Sequence, residues 1–206
     1  MSKRILIDYI GSINVSPQQI TESLKDNNGK LIVSGVMQRA SSNDDTNFNQ
    51  NGRSYPLPIL KKECETYKNT FVKERRALGE LDHPDSQVVN LANVSHNIMD
   101  LWWQGNDLMG KLEILSTPSG NIAKELLKSG IRLGISSRGM GSVKELGEGK
   151  VEVQDDFEIV CWDLVSNPST QGAFMSPSLN ESVQGKVDNK YTKINSLVSE
   201  IITAMQ

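Results

Sequence analysis

Long apolar runs are missing from this 206-residue chain, and so is any large excess of one charge. No stretch approaches the ~20 apolar residues that a membrane-spanning helix needs, and no signal-peptide pattern is evident. Lys and Arg number 22 against 25 Asp and Glu, and the two signs are well mixed. No basic face large enough to hold a nucleic-acid backbone is therefore expected. The chain has only two cysteines and two histidines. No Cys/His metal cluster, Walker loop or dinucleotide fingerprint appears, so neither a cofactor nor a metal is expected. Cys64 falls in a helical pattern and Cys161 in an apolar, strand-like run, which favours a reducing compartment over a disulfide framework.

What is present fits one domain with a tail, long enough to bury a proper core. Arg4 to Ile10 alternates enough for a first strand; Lys30 to Arg39 reads as a second, with Leu31, Val33 and Val36 apolar. Ser41 to Arg53 is rich in Asn, Asp and Ser and reads as a loop. Residues 57–78 read as a helix ended by Gly79, which leaves His83 in a short connection stiffened by Pro84. Asn97 to Trp103 and Leu108 to Leu115 read as a hairpin turning at Gln104-Gly105-Asn106-Asp107. Thr117 and Pro118 look like the N-cap and first position of a helix running to Lys128, with Gly130 as its stop. A strand from Ile131 carries Ser136 and Ser137, and two further strands are expected over Val143–Val153 and Phe157–Val165. Beyond Pro177 the chain is polar until a short amphipathic stretch, Ile194 to Met205. Short strands, two helices and no βαβ repetition exclude a doubly wound sheet. An α+β fold is expected, an antiparallel barrel or strongly bent sheet with flanking helices.

Two segments carry chemistry: Gly79-Glu80-Leu81-Asp82-His83-Pro84 and Gly134-Ile135-Ser136-Ser137-Arg138-Gly139-Met140-Gly141-Ser142. A base, a nucleophile and a Gly-flanked backbone turn are what acyl transfer requires. On the residues alone, His83 and His96 have equal claims as the base. Ser136 and Ser137 are neighbours on an extended segment and point to opposite faces, so only one can meet that base. Arg138, Gly139 and Gly141 suggest an oxyanion site, since glycines let N–H groups converge and an arginine adds positive charge. Asp163 lies 27 residues beyond Ser136 in the apolar run Ile159–Val165, where a carboxylate needs a partner. A structural ion pair to an arginine would serve it as well as a catalytic histidine. Trp102 and Trp103 face opposite sides of their strand, so at least one is expected in the core.

Five stretches, in order, resemble the prohead maturation proteases of T-even-type tailed bacteriophages, a family distantly akin to the herpesvirus assemblins. They are Asn49-Gln50-Asn51-Gly52-Arg53-Ser54-Tyr55-Pro56, the His83 segment, Asp100-Leu101-Trp102-Trp103-Gln104-Gly105-Asn106-Asp107, the serine segment, and Asp163-Leu164-Val165 with Asn167-Pro168-Ser169. The resemblance implies an assemblin-like β-barrel with helices packed outside. It gives the role of base to His83 and that of nucleophile to Ser136, with Ser137 as the alternative. Assemblins use a second histidine as the third member, and this chain has none after His96, so Asp163 is expected to replace it. Arg138 and Gly139 inherit the oxyanion site.

The implied activity is that of a serine endopeptidase cutting phage scaffold, core and capsid proteins after Ile/Leu-x-Glu, inside the prohead in the host bacterial cytoplasm. A homo-oligomer and zymogen control are expected; membrane and nucleic-acid partners are not. The alternative is a catalytically silent core or scaffold protein of the same fold. The expected division is a protease domain over residues 1–177 and a tail over 178–206. Leu179-Asn180-Glu181 fits the implied cleavage pattern in a polar stretch, so self-cleavage after Glu181 is expected. Ile20-Thr21-Glu22 is the second match.

Overall fold

The computed structural model describes residues 17–43, 46–84 and 86–178. The strand expected over Arg4–Ile10, the amphipathic stretch Ile194–Met205 and the Glu181 site lie outside the described residues. A helix not foreseen from the sequence, α1 (Pro17–Asp26), opens the described chain. The apolar side chains it turns to the core are Ile20 and Leu24, an i, i+4 pair too short to register as periodicity, with Ser23 buried beside them. Ile20 is buried inside this helix, so Ile20-Thr21-Glu22 is not the extended segment that a protease requires.

Strand β1 (Leu31–Arg39) follows, then the loop and the two-residue strand β2 (Arg53–Ser54). Helix α2 (Leu57–Tyr67) starts after Pro56 and passes into a π-helical turn at Lys68–Val72. It stops well short of Gly79, at a turn where Arg75 takes φ +57°. Gly79 instead lies within strand β3 (Leu78–Glu80), where a Cβ would sit 2.1 Å from the Trp162 carbonyl oxygen and 2.4 Å from the His96 ring. It is glycine because two strands and a buried imidazole crowd it.

The hairpin of β4 (Val94–Gln104) and β5 (Asp107–Ile114) turns at Gly105, with φ +60°. Helix α3 (Pro118–Lys128) is capped by the Thr117 hydroxyl, which accepts from the Gly120 N–H at 3.0 Å. Strand β6 (Gly134–Met140) carries both serines. Residues 143–153 form a hairpin rather than one strand: β7 (Val143–Gly147) and β8 (Lys150–Val153). Glu148 and Gly149 both have positive φ there, the geometry of a tight reversal. Strands β9 (Glu158–Val165) and β10 (Ser176–Pro177) complete the described chain.

The fold is mixed α+β with mostly antiparallel pairing. The main sheet runs β10-β1-β5-β4-β3, a second β2-β8-β7, and β6 pairs with β9. None of these ladders closes on itself among the described residues. Isolated bridges at Leu81–Leu164 and Gly134–Phe174 carry the pairing from β3 to β9 and from β6 to the segment before β10. The core lies between the main sheet, the β6–β9 pair and the helices. Trp162 fills it, with Tyr67 edge-on at 5.0 Å and Ile98, Leu112 and Leu164 fully buried. Each such side chain contributes roughly 1.5–3 kcal/mol. Trp103 packs partly buried against this core. Both cysteines are free and buried, and among the described residues no helix is long and apolar enough to cross a membrane.

Candidate active site

The β6–β9 ladder fixes the site. Its register sets Ser136 opposite Asp163, Ser137 opposite Trp162 and Arg138 opposite Cys161. Direct partners in an antiparallel ladder emerge on the same face, so Ser136, Arg138, Cys161 and Asp163 share one side. Ser137 and Trp162 share the other.

The chain after β3 brings His83 to the same side. Leu81 bridges Leu164, and the Asp82 N–H donates to the Leu164 carbonyl at 2.7 Å. Asp82 then turns the backbone at φ +71°, with its own carboxylate accepting the His83 N–H at 2.9 Å. His83 Nδ1 lies 2.8 Å from Asp163 Oδ2. An ionised carboxylate only accepts, so Nδ1 carries the proton and Nε2 is the basic nitrogen. The imidazole is 37 % exposed while Asp163 is fully buried.

Asp163 is held from every side. Its Oδ1 accepts from the Glu80 N–H at 3.0 Å and from Cys161 Sγ at 3.2 Å. Arg138 grips it as a fork, Nε to Oδ2 at 3.0 Å and Nη2 to Oδ1 at 3.2 Å. Burial alone would raise the carboxyl, but the bonds from His83, the Glu80 N–H, Arg138 and Cys161 hold it below its ordinary value. Arg138 also donates to Glu80 Oε1 at 2.7 Å and to the Ser86 carbonyl at 2.7 Å. Burial works against the guanidinium, yet Glu80 and then Asp163 raise its pKa above the usual value. The ionised Asp163 carboxylate, gripped by Arg138 and bonded to His83, is placed to balance a protonated imidazole.

Ser136 is buried, and its hydroxyl meets Ser169 Oγ at 3.0 Å. Pro168 packs on Gly134, which sets Ser169 beside β6. Among the described residues no hydrogen bond joins His83 to Ser136. Both nevertheless line one cleft of about 740 Å³, together with Ser137, Arg138 and Gly139. His96 lies elsewhere, fully buried in β4. Its Nε2 donates to the Trp162 carbonyl at 3.0 Å, and its Nδ1 accepts from the Ser95 hydroxyl at 2.9 Å. Burial pushes it down to about 4.

Of the residues singled out from the sequence, His83, Asp163 and Arg138 are in direct contact, and Ser136, Ser137 and Gly139 line the same cleft. Glu80 and Ser169 escaped that reading as site residues. Glu80 gave a usable signal, a carboxylate flanked by Gly79 and Leu81 in the segment that also holds His83. Ser169 gave none beyond its place in Asn167-Pro168-Ser169. Among the described residues no group of His, Cys, Asp and Glu is arranged to hold a metal.

The family described as prohead core protein serine protease matches residues 12–184 of this chain. The prohead core protein protease of Enterobacteria phage T4 is 33 % identical over 163 residues, covering 77 % of this chain and 74 % of that protein. The solved structure of the bacteriophage T4 capsid assembly protease superposes with a TM-score of 0.61 at 31 % identity, covering 66 % of this chain and 81 % of that one.

Proposed function

We propose that this chain, which belongs to the prohead core protein serine protease family, is the serine endopeptidase that matures a phage prohead. Its substrates would be core, scaffold and capsid proteins, cut inside the particle after Ile/Leu-x-Glu. The observation that carries the reading is the His83–Asp163 pair at 2.8 Å on the face that also bears Ser136.

In the proposed reaction the Ser136 hydroxyl turns from Ser169 towards His83 Nε2, gives up its proton and attacks the scissile carbonyl. Asp163 keeps the imidazole in the Nε2-basic tautomer and stabilises it once protonated. His83 then protonates the leaving amine, and a water activated by the same ring frees the acyl-serine. The Ile135 N–H donates to Ala173 on the edge away from β9. Alternation along a strand turns the Ser137 N–H to that same edge, which makes it our donor to the oxyanion. At Gly139 a Cβ would meet the Phe157 ring at 2.5 Å, so glycine there lets β9 approach closely beside the site. The Arg138 guanidinium is committed to Asp163 and Glu80, so its part in this scheme is to hold the aspartate rather than to touch the oxyanion.

Closure of the strands into an assemblin-like barrel belongs to the same proposal, supported by the bridges at Leu81–Leu164 and Gly134–Phe174. So do self-association, zymogen control, the boundary at 177/178 and self-cleavage after Glu181. Incubating the full chain with a peptide containing Leu-x-Glu, beside a Ser136→Ala variant, tests the core of the reading. Cleavage by the first alone supports it; cleavage by neither leaves a silent core protein.

A further inference from the structure

The stretch Asn49 to Pro56 takes no part in the chemistry just described, yet it forms one wall of the cleft. Its backbone is tightly specified. Asn49 Oδ1 accepts from the N–H groups of Asn51 at 2.9 Å and Arg53 at 3.0 Å, and the Asn49 N–H returns a bond to the Arg53 carbonyl. Gly52 takes φ +69°, and a Cβ there would meet the Gly149 carbonyl oxygen at 2.6 Å. The turn is tied to the nucleophile through the Gln50 N–H, which donates to the Ser169 carbonyl at 2.9 Å; the Ser169 hydroxyl meets Ser136. This scaffold lines the cleft with Gln50, Asn51, Arg53 and Tyr55, of which Arg53 alone carries a charge.

The charge inventory gives that side chain a purpose. Arg53, His83 and Arg138 line the cleft, and among the described residues no aspartate or glutamate does. Arg138 is neutralised by Glu80 and Asp163 beneath it. Arg53 makes no ion pair among the described residues. It also stands at a side pocket of about 120 Å³, walled by Tyr55, Met140, Val153 and Phe157 and reaching Ser137. Tyr55 and Phe157 brace each other edge-on at 5.4 Å. A small pocket of mixed lining, with apolar walls for methylenes and one guanidinium that is unpaired among the described residues, one residue from Ser136, suits the methylenes and carboxylate of an acidic side chain.

We propose that Arg53 is the specificity-determining residue of this site, pairing with the carboxylate of the substrate residue directly before the scissile bond. The inference rests on the protease reading and names the group behind its preference.

The test uses the full chain and three peptides identical except for Glu, Gln or Lys before the cut. The Glu:Gln ratio of kcat/KM should fall roughly 10- to 100-fold in Arg53→Gln, the scale of a lost charge-assisted bond. In Arg53→Glu the preference should move to the Lys peptide. Thermal unfolding confirms that both variants are folded. A second readout is free of turnover. In a Ser136→Ala background, fluorescence anisotropy should detect tight binding of the Glu peptide, and adding Arg53→Gln should weaken it by a similar factor. An unchanged Glu:Gln ratio, or unchanged binding, overturns the role of Arg53. Labelling by a fluorophosphonate separates this from failure of the parent reading. A labelled enzyme that does not discriminate among the peptides refutes only Arg53. An unlabelled one that cuts none of them removes the protease reading and this proposal together.

Discussion

Ser136 and Asp163 are direct partners across the β6–β9 ladder, and the carboxylate of that pair holds His83 at 2.8 Å. Strand register thereby sets which serine shares a face with Asp163 and, through it, with His83. A slip of one residue would bring Ser137 to the face of Asp163 and turn Ser136 into the core.

This register makes Ser136 rather than Ser137 the expected nucleophile. Ser136→Ala should lower peptide hydrolysis on the order of 10⁴-fold or more, with the thermal unfolding midpoint nearly unchanged. Mass mapping of a fluorophosphonate adduct gives an independent answer: the adduct should sit on Ser136. An adduct on Ser137 would overturn the assignment.

Asp163→Asn should cut turnover by several orders of magnitude, because an amide can hold the imidazole in the wrong tautomer and cannot balance its charge. Arg138→Gln should act differently. It leaves Glu80 and Asp163 buried without their cation, at a cost of roughly 3–5 kcal/mol in chemical denaturation. Adding Glu80→Gln should restore part of that loss. If Arg138→Gln keeps full stability and loses only rate, the guanidinium acts on the substrate and not on Asp163.

Much of the scaffold was legible in the sequence because its signals are local. The Thr117 cap, Pro118 and Gly130 delimit α3 within two residues, and Gly105 marks the β4–β5 reversal. Gly79 misled for a physical reason. Helix stops and close strand approaches both select glycine, and only the packing of Trp162 and His96 against it distinguishes them. Local pattern alone does not pair Glu80 or Ser169 with its partner in the site, because those partners are far away: Arg138 lies 58 positions from Glu80 and Ser136 lies 33 from Ser169. The pairing of His83 with Asp163 spans 80 positions. It was reached through family resemblance, since no periodicity reports such a contact.

His96 should make the stability of the fold depend on pH. His96 is held neutral by burial, at about 4 against an ordinary 6.5. Between those values the unfolded chain binds the extra proton, so stability falls as pH drops from ~6.5 towards 4, by roughly 3 kcal/mol in total. Asp163, depressed in the fold, adds a further loss at lower pH, as its own carboxyl protonates. Urea midpoints measured across pH 4–7 should show the upper slope in wild type and a flatter one in His96→Gln. Equal slopes would mean that another group titrates there.

Gly79→Ala should destabilise the protein by roughly 1–3 kcal/mol or more, since a methyl would meet a carbonyl and a ring within 2.4 Å. Both belong to the β4–β9 contact that supports Asp163. Turnover should therefore fall below what the loss of folded protein explains. Full activity per folded molecule would show that β3 and β9 move apart without disturbing the site.

Self-cleavage after Glu181 would remove 25 residues from the 206. Intact-mass measurement of incubated protein should find that loss in wild type and in neither Glu181→Ala nor Ser136→Ala. A full-length mass in a preparation that cleaves peptides would refute it.

The carboxylate that holds this site together arrives late. Strand β9 is the last long strand of the described chain, and Asp163 draws its partners from positions 80, 83 and 138. During synthesis the histidine and both serines leave the ribosome before the residue that aligns them. On the proposed assignment a nascent chain would carry base and nucleophile with nothing to orient them, and proteolysis of unassembled substrates would begin only with the completed fold.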